Sequence, residues 1–180
     1  GFHPVNVGKL VRGEAAFVPC TPLGIFYLLL REGISLRGAT VAVMGRSNVV
    51  GRPLANLLSQ KGGGRDASVI LLHSRSRAPE RFTREADVLV AAMGRAGAVT
   101  AEMVRPGAVV LDVGMNRVPN PEKPGKTRLV GDVVPEAFEV ASAMTPVPGG
   151  VGPMTVAMLM RNTVDAAAGA VTRPFAIGEA

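Results

Sequence analysis

The densest chemistry in the sequence lies in Val43-Met-Gly-Arg-Ser-Asn-Val-Val-Gly-Arg-Pro-Leu54. A buried strand that turns at Gly45 and enters a helix near Val50, with Pro53 in the first turn, aims free backbone N–H groups at the turn. Such a helix N-terminus holds a pyrophosphate. The spacing departs from G-x-G-x-x-G: Ser47 stands at the second glycine position and Val50 at the third, so close backbone approach is partly lost and a hydroxyl donor gained. A second cluster, His73-Ser-Arg-Ser-Arg77, ends the next strand-like run. NAD enzymes usually carry an acid there, to accept from the ribose 2′-OH. From His73 onward this chain has no acid until Glu80, and offers guanidinium and hydroxyl groups instead. That set matches a 2′-phosphate, with Arg46 and Ser74 as the expected contacts. Arg75 and Arg77, taken singly, read as solvated loop residues.

The third cluster is Pro148-Gly-Gly-Val-Gly-Pro-Met-Thr155. Its glycines and flanking prolines fix a turn whose backbone can lie flat against a planar ligand. A turn that only opened a helix would not need so many glycines. His73, at a strand end, suits adenosine contact better than general-base work. His3 precedes a proline near the chain start, and Cys20 reads as a packed or pocket-lining thiol. The five aspartates and nine glutamates show no metal-ligand spacing, so no metal site is expected.

These clusters need elements to carry them. Apolar runs at Thr40–Met44, Ser68–His73, Asp87–Met93 and Ala108–Val113 each end in glycine or a small polar residue, and a shorter run follows at Arg128–Asp132. They are continuously apolar rather than alternating, as strands buried on both faces are. Helical spacing at Leu54–Leu58, closed by Gly62–Gly64, falls between the first two. Strand alternating with helix predicts an α/β chain: a Rossmann-like, mostly parallel sheet with helices on both faces and ligands at the carboxyl ends of the strands. A leading helix opens at Thr21-Pro22 and runs to Glu32, and a trailing one runs from about Met154 to Ala168. Both carry apolar residues around much of their circumference and must be covered on more than one face. Pro119–Lys126 reads as an exposed loop.

Composition narrows the function classes. Of 180 residues, 47% are hydrophobic and 19% charged, enough to build a core and exclude disorder. The 22 glycines and 14 prolines fall in clusters without a period, which excludes a collagen-like chain. One cysteine suits a reducing, cytoplasmic setting. No apolar run approaches the ~20 residues of a membrane span. The net charge of +6 and pI near 10.4 raise nucleic acid as a partner. However, the 16 arginines and 4 lysines are scattered, and there is one Tyr and no Trp for stacking bases. A polyanionic small ligand fits better, with no nucleic acid and no membrane as partners. The start, Gly-Phe-His-Pro, lacks an initiating Met and a leader, and is read as internal to a longer protein.

Together these residues resemble the bifunctional methylenetetrahydrofolate dehydrogenase/cyclohydrolase family in its C-terminal two-thirds. The stretches that carry the resemblance are Gly1–Asn6, Phe17–Pro22, Gly45–Pro53, His73-Ser74, Asp112–Asn116, Gly131–Val133 and Pro146–Thr155, in family order along nearly the whole chain. The resemblance implies a Rossmann-like NADP domain paired with an N-terminal domain that carries most of the folate site. Such enzymes oxidise 5,10-methylenetetrahydrofolate and hydrolyse the methenyl product to 10-formyltetrahydrofolate. It further implies that Gly45, Arg46 and Ser47 cradle the phosphates and that Arg46 and Ser74 meet the 2′-phosphate. Met115, where the family usually has Ile, would lie beside the cofactor. Thr21 and Thr155 would approach the nicotinamide, and Pro148, Gly149, Gly150, Val151 and Gly152 would line the folate side.

The family's catalytic Lys, its Tyr partner and an Asp would all lie upstream of Gly1, and none of Lys9, Lys61, Lys123 and Lys126 falls in a matching motif. The expectation is a chain with no catalytic residue of its own, inactive alone, from a homodimeric parent. Residues 1–34 would join the folate-side domain, 35–150 form the NADP domain, and 151–180 return toward the folate side, the leading and trailing helices packing on that absent domain. The Gly62–Asp66 stretch looks longer than the family's turn. A shikimate-type NADP dehydrogenase or a non-catalytic dinucleotide- or nucleic-acid-binding module are the alternatives, and the Pro-Gly-Gly-Val-Gly-Pro segment argues against the first.

Overall fold

The computed structural model describes residues 1–15 and 17–169; the last part of the 151–180 segment, from 170 on, lies outside the described residues. Strands β1 (Thr40–Met44), β2 (Ser68–Leu72), β3 (Val88–Ala91) and β4 (Val109–Asp112) fall where the apolar runs predict. A hairpin of β5 (Asn116–Pro119) and β6 (Thr127–Val130) follows, then the two-residue β7 (Ala143–Met144). The main sheet is wholly parallel in the order β2-β1-β3-β4-β7. The run at Arg128–Asp132 does not join it. That run pairs antiparallel with β5, and Pro119–Lys126 is mostly the tip of this hairpin.

Alternation across the pleat explains the continuously apolar strands. Val41 and Val43 of β1 face one core with Val90 and Leu111, while Ala42 and Met44 face a second core with Leu89 and Val110. The first core is covered by α1 (Pro4–Val11), α2 (Cys20–Arg31), α3 (Gly51–Leu58) and α5 (Val151–Ala167). The second is covered by shorter pieces, the 3-10 turns at Ala101–Met103 and Pro135–Glu139 among them, with the one-turn α4 (Glu80–Thr83) on the way from β2 to β3.

Helix α1 is absent from the sequence reading because its eight residues include Gly8. Its start is nevertheless well made: Pro4 occupies the first turn and His3 Nδ1 accepts from Val5 N–H at 3.3 Å. The α2 start at Cys20 agrees with Thr21-Pro22, and one broad face of it is covered within this chain, while Tyr27, Leu28 and Leu30 stay half-buried. Leu23, Ile25, Phe26 and Leu29 are each 1% exposed or less. The larger exposed apolar surface is on α5, where Val156, Leu159, Met160 and Val164 form an outward stripe 55–63% exposed. Helices α2 and α5 pack closely. A Cβ on Gly24 would sit 3.0 Å from the Met154 Cβ, and Arg161 donates to the Tyr27 hydroxyl at 2.6 Å while lying over its ring.

The long turn at 62–66 has a structural role. Gln60 donates to the Leu10 carbonyl at 2.5 Å, and Arg65 donates to Gln60 Oε1 at 2.8 Å and to the Gly62 carbonyl at 2.9 Å. This clamp fastens the end of α1 to the end of α3.

Candidate functional site

In a parallel sheet of this order the chain leaves β1 in one direction for β2, then crosses back to β3. The crevice between the carboxyl ends of β1 and β3 is the topological switch point, where ligands bind. Gly45 leaves β1 there with φ of +123°, and a Cβ on it would lie 2.8 Å from the Ala92 carbonyl carbon just past β3. A Cβ on Gly51 would lie 2.6 Å from the Gly45 carbonyl carbon. Close approach of turn and helix is therefore kept, and Gly51 rather than Val50 supplies it, because the turn is one residue longer than in G-x-G-x-x-G. Ser47 Oγ accepts from Val50 N–H at 3.0 Å and braces the turn, leaving its own O–H proton to donate outward. Arg46 is exposed and makes no hydrogen bond or ion pair among the described residues.

The end of β2 lies alongside. Gly45 N–H donates to the Leu72 carbonyl at 2.9 Å, so Arg46 and Ser74 stand equally far past the paired ends of β1 and β2. Ser74 is exposed; the serine that closes this turn is Ser76, whose Oγ accepts from His73 N–H at 3.0 Å. His73 Nδ1 accepts from Arg75 N–H at 3.1 Å, a turn-forming contact that occupies the nitrogen a base would use.

Farther along the same edge, beyond β4, a cleft of about 280 Å³ is lined by Thr21, Met115, Thr155 and every residue from Pro148 to Gly152. Residues from both ends of the chain meet here because the starts of α2 and α5 converge. The Thr21 and Thr155 hydroxyls share a hydrogen bond of 3.0 Å. Within the proline-glycine segment the glycines divide. A Cβ on Gly150 would reach 2.5 Å from the Pro146 carbonyl oxygen, whereas Gly149 and Gly152 have no atom within 4 Å of that position. Gly150 thus serves packing, and the other two leave bare backbone at the cleft. The Val147–Pro148 peptide is cis. Helix α5 begins at Val151, three residues ahead of expectation. Cys20, partly buried at the start of α2, accepts from Asn162 Nδ2 at 3.5 Å, as a packed thiol would. None of the four lysines lines this cleft.

Two residues given no role by sequence reasoning hold the site's frame. Asp112, at the end of β4, is 2% exposed, and its carboxylate accepts from the N–H groups of Gly114, Asp132 and Val133, each at 2.9 Å. Burial pushes this carboxyl above the usual carboxylate range against the pull of those three donors, and the neighbouring Asp132 charge adds to the rise. Asp132 is fully buried and accepts from Met93, Gly94 and Arg95 N–H at 2.6, 2.8 and 2.8 Å and from Asn116 Nδ2 at 2.9 Å. The available signal was an acid closing an apolar run, Val109-Val-Leu-Asp and Leu129-Val-Gly-Asp. A buried charge at such a place must be fully hydrogen-bonded. No group of three or more His, Cys, Asp or Glu side chains that could hold a metal occurs among the described residues.

A family model described as tetrahydrofolate dehydrogenase/cyclohydrolase, NAD(P)-binding domain, matches residues 19–171. The bifunctional protein FolD of Syntrophus aciditrophicus (strain SB) is 56% identical over 168 residues, which are 93% of this chain and 57% of that protein. Among solved structures, the bifunctional FolD methylenetetrahydrofolate dehydrogenase/cyclohydrolase of Campylobacter jejuni superposes with a TM-score of 0.85 at 43% identity, over 93% of this chain and 57% of that one. The Trypanosoma brucei enzyme, solved with NADP cofactor and inhibitor, superposes with a TM-score of 0.82 at 42% identity, over 91% and 55%. The chain therefore spans a little over half the length of these relatives.

Proposed function

The chain belongs to the tetrahydrofolate dehydrogenase/cyclohydrolase family, and we propose that it is the NADP-binding portion of an enzyme that oxidises 5,10-methylenetetrahydrofolate and hydrolyses the methenyl product to 10-formyltetrahydrofolate. The observation that carries this reading is the layout of one sheet edge. A glycine cradle that a single Cβ would fill, an uncommitted Arg46 beside Ser74, and a cleft with bare glycine backbone succeed one another from β2 to β4. Those ends lie three strand spacings apart, about 14 Å, a distance an extended dinucleotide crosses.

The residues present fit the cofactor. Gly45, Arg46, Ser47 and the α3 N-terminus hold its phosphates, Arg46 and Ser74 its 2′-phosphate, and Met115, Thr21 and Thr155 its nicotinamide side. When bound, NADP supplies a hydride acceptor. The chain's part is orientation: Pro148, Gly149, Gly150, Val151 and Gly152 present flat backbone to the folate side, so that donor carbon and acceptor ring meet in a fixed geometry. With no lysine or free imidazole at the cleft, proton transfer in the hydrolytic step falls to another part of the parent protein. We place that parent in the cytoplasm as a homodimer. No helix among the described residues is long and apolar enough to cross a membrane, and the α5 stripe offers an apolar surface to bury.

Calorimetric titration tests the cofactor reading. NADP should bind more tightly than NAD. Arg46→Ala, which removes one charge-assisted bond of ~1.5–3 kcal/mol, should weaken NADP by roughly 10–150-fold and NAD much less. Equal losses for both would refute the assignment.

A further inference from the structure

We infer that Asp132, remote in sequence from every dinucleotide motif, is a positioning residue that sets the middle of the cofactor's path. The inference rests on the NADP reading above. The segment Met93-Gly-Arg-Ala-Gly97 leaves β3 between the β1 turn on one side and the end of β4 on the other. Gly94 and Gly97 both have positive φ, and residues 94–97 are exposed. A glycine-rich segment of this kind loses much conformational entropy on ordering, so something must hold it. The holder is one buried carboxylate: three successive N–H groups, from Met93, Gly94 and Arg95, converge on the Asp132 oxygens.

Three consecutive amides turned to one point make an anion nest. Here the protein fills the nest with its own carboxylate, so the phosphates are left to the neighbouring β1 turn. The same carboxylate accepts from Asn116 Nδ2, while Asp112 accepts from Gly114 N–H and Asp132 N–H. Met115, on the rim of the cleft, is thereby tethered through both chain neighbours. Asp132 ties together the segment beneath the cofactor's midpoint and the rim beside its nicotinamide end. It does not touch the β1–β2 corner where the adenylate half would sit.

The test compares whole and half ligands on the 180-residue chain. Adenosine 2′,5′-bisphosphate probes the β1–β2 corner alone, and NADP probes the full edge. In Asp132→Asn, either orientation of the amide turns an NH₂ group toward two donors, freeing part of the segment. Asn116→Ala leaves the Asp132 carboxylate and its three N–H donors in place and removes the tether to the rim, together with the Nδ2 contacts to the Val130 and Gly131 carbonyls. Coupling through such contacts is worth roughly 3- to 30-fold in affinity. The NADP dissociation constant should rise by that factor in Asp132→Asn and by about two- to fivefold in Asn116→Ala, while the bisphosphate stays within about twofold of wild type in both. Equal weakening of both ligands would mean that the variants only disturb the fold, and unchanged NADP binding in both variants would mean that the segment needs no holder; either overturns the inference. Wild-type chain that binds the bisphosphate but gains nothing from the nicotinamide half also overturns it. Wild-type chain that binds neither ligand overturns the NADP reading itself.

Discussion

Two alanine substitutions at helical glycines should act in opposite directions, and the reason is visible in what each new methyl group meets. At Gly8, inside α1, nothing lies within 4 Å of the added Cβ. Gly8→Ala therefore gains helix propensity, ~0.5–1 kcal/mol, and raises the melting temperature by about 1–4 °C. At Gly51, in the first turn of α3, the added Cβ would lie 2.6 Å from the Gly45 carbonyl carbon. Carbon atoms rest at ~3.5–4.0 Å, so turn and helix must part by roughly 1 Å. Both partners are backbone held by sheet and helix, which puts the cost at the upper end of the ~1–3 kcal/mol typical of overpacking, and little is regained from propensity in a first turn. Gly51→Ala should melt about 4–12 °C lower. The same displacement moves the α3 N–H groups out of hydrogen-bond range of a phosphate. NADP at 100 times the wild-type dissociation constant should stabilise the wild-type chain by ~2.7 kcal/mol and the variant far less. Scanning calorimetry with and without NADP reads all of this. A Gly51→Ala chain that melts with wild type, or keeps its full NADP shift, would refute the cradle.

The other predictions rest on the buried acid, the exposed stripe and the cleft. Burial holds the Asp112 carboxyl above its unfolded value, so its contribution to stability is complete below about pH 4 and declines as pH rises through the folded value. Urea melts at pH 4 and pH 7 should show the stability margin of wild type over Asp112→Asn shrinking as pH rises; a widening margin would mean that the three N–H donors outweigh burial. Leu159→Glu with Met160→Glu alters residues 55% and 62% exposed, so it should change stability by no more than about 0.5 kcal/mol per site yet reduce self-association in sedimentation. Association that persists would place the contact elsewhere. Finally, the 180-residue chain should bind NADP without turning over methylene- or methenyltetrahydrofolate, and turnover at the rate of a full-length relative would show that the proton-transfer groups are within it.

The inner strands β1, β3 and β4 were legible because a strand covered on both faces must be apolar at every position, whatever its neighbours, and β2, half-buried at the sheet edge, carries the same kind of apolar run. The phosphate turn and the proline-glycine segment were legible because backbone geometry there demands particular residue types over a few successive positions. Local patterns of that kind are written in adjacent residues. The element missed at Pro4–Val11 and the two-residue β7 lack them: one helix is short and interrupted by glycine, and the strand is too brief for a period. The hairpin strand β6 was read as part of the sheet because an apolar run does not state its partner.

Relations between residues far apart in the chain emerge only from the folded arrangement. Gly51, not Val50, is the close-packing glycine, because a carbonyl across the turn occupies the space. Thr21 and Thr155, 134 positions apart, share a hydrogen bond because two helices start at one cleft. Helix α2 is covered by this chain over most of its girth and α5 over much less, although their compositions look alike. Asp112 and Asp132 are the clearest case. A carboxylate's role depends on which amides converge on it, and those amides come from three separate turns. Local sequence governs which backbone shapes are allowed, whereas burial, pairing and hydrogen-bond satisfaction are settled by what the fold brings alongside.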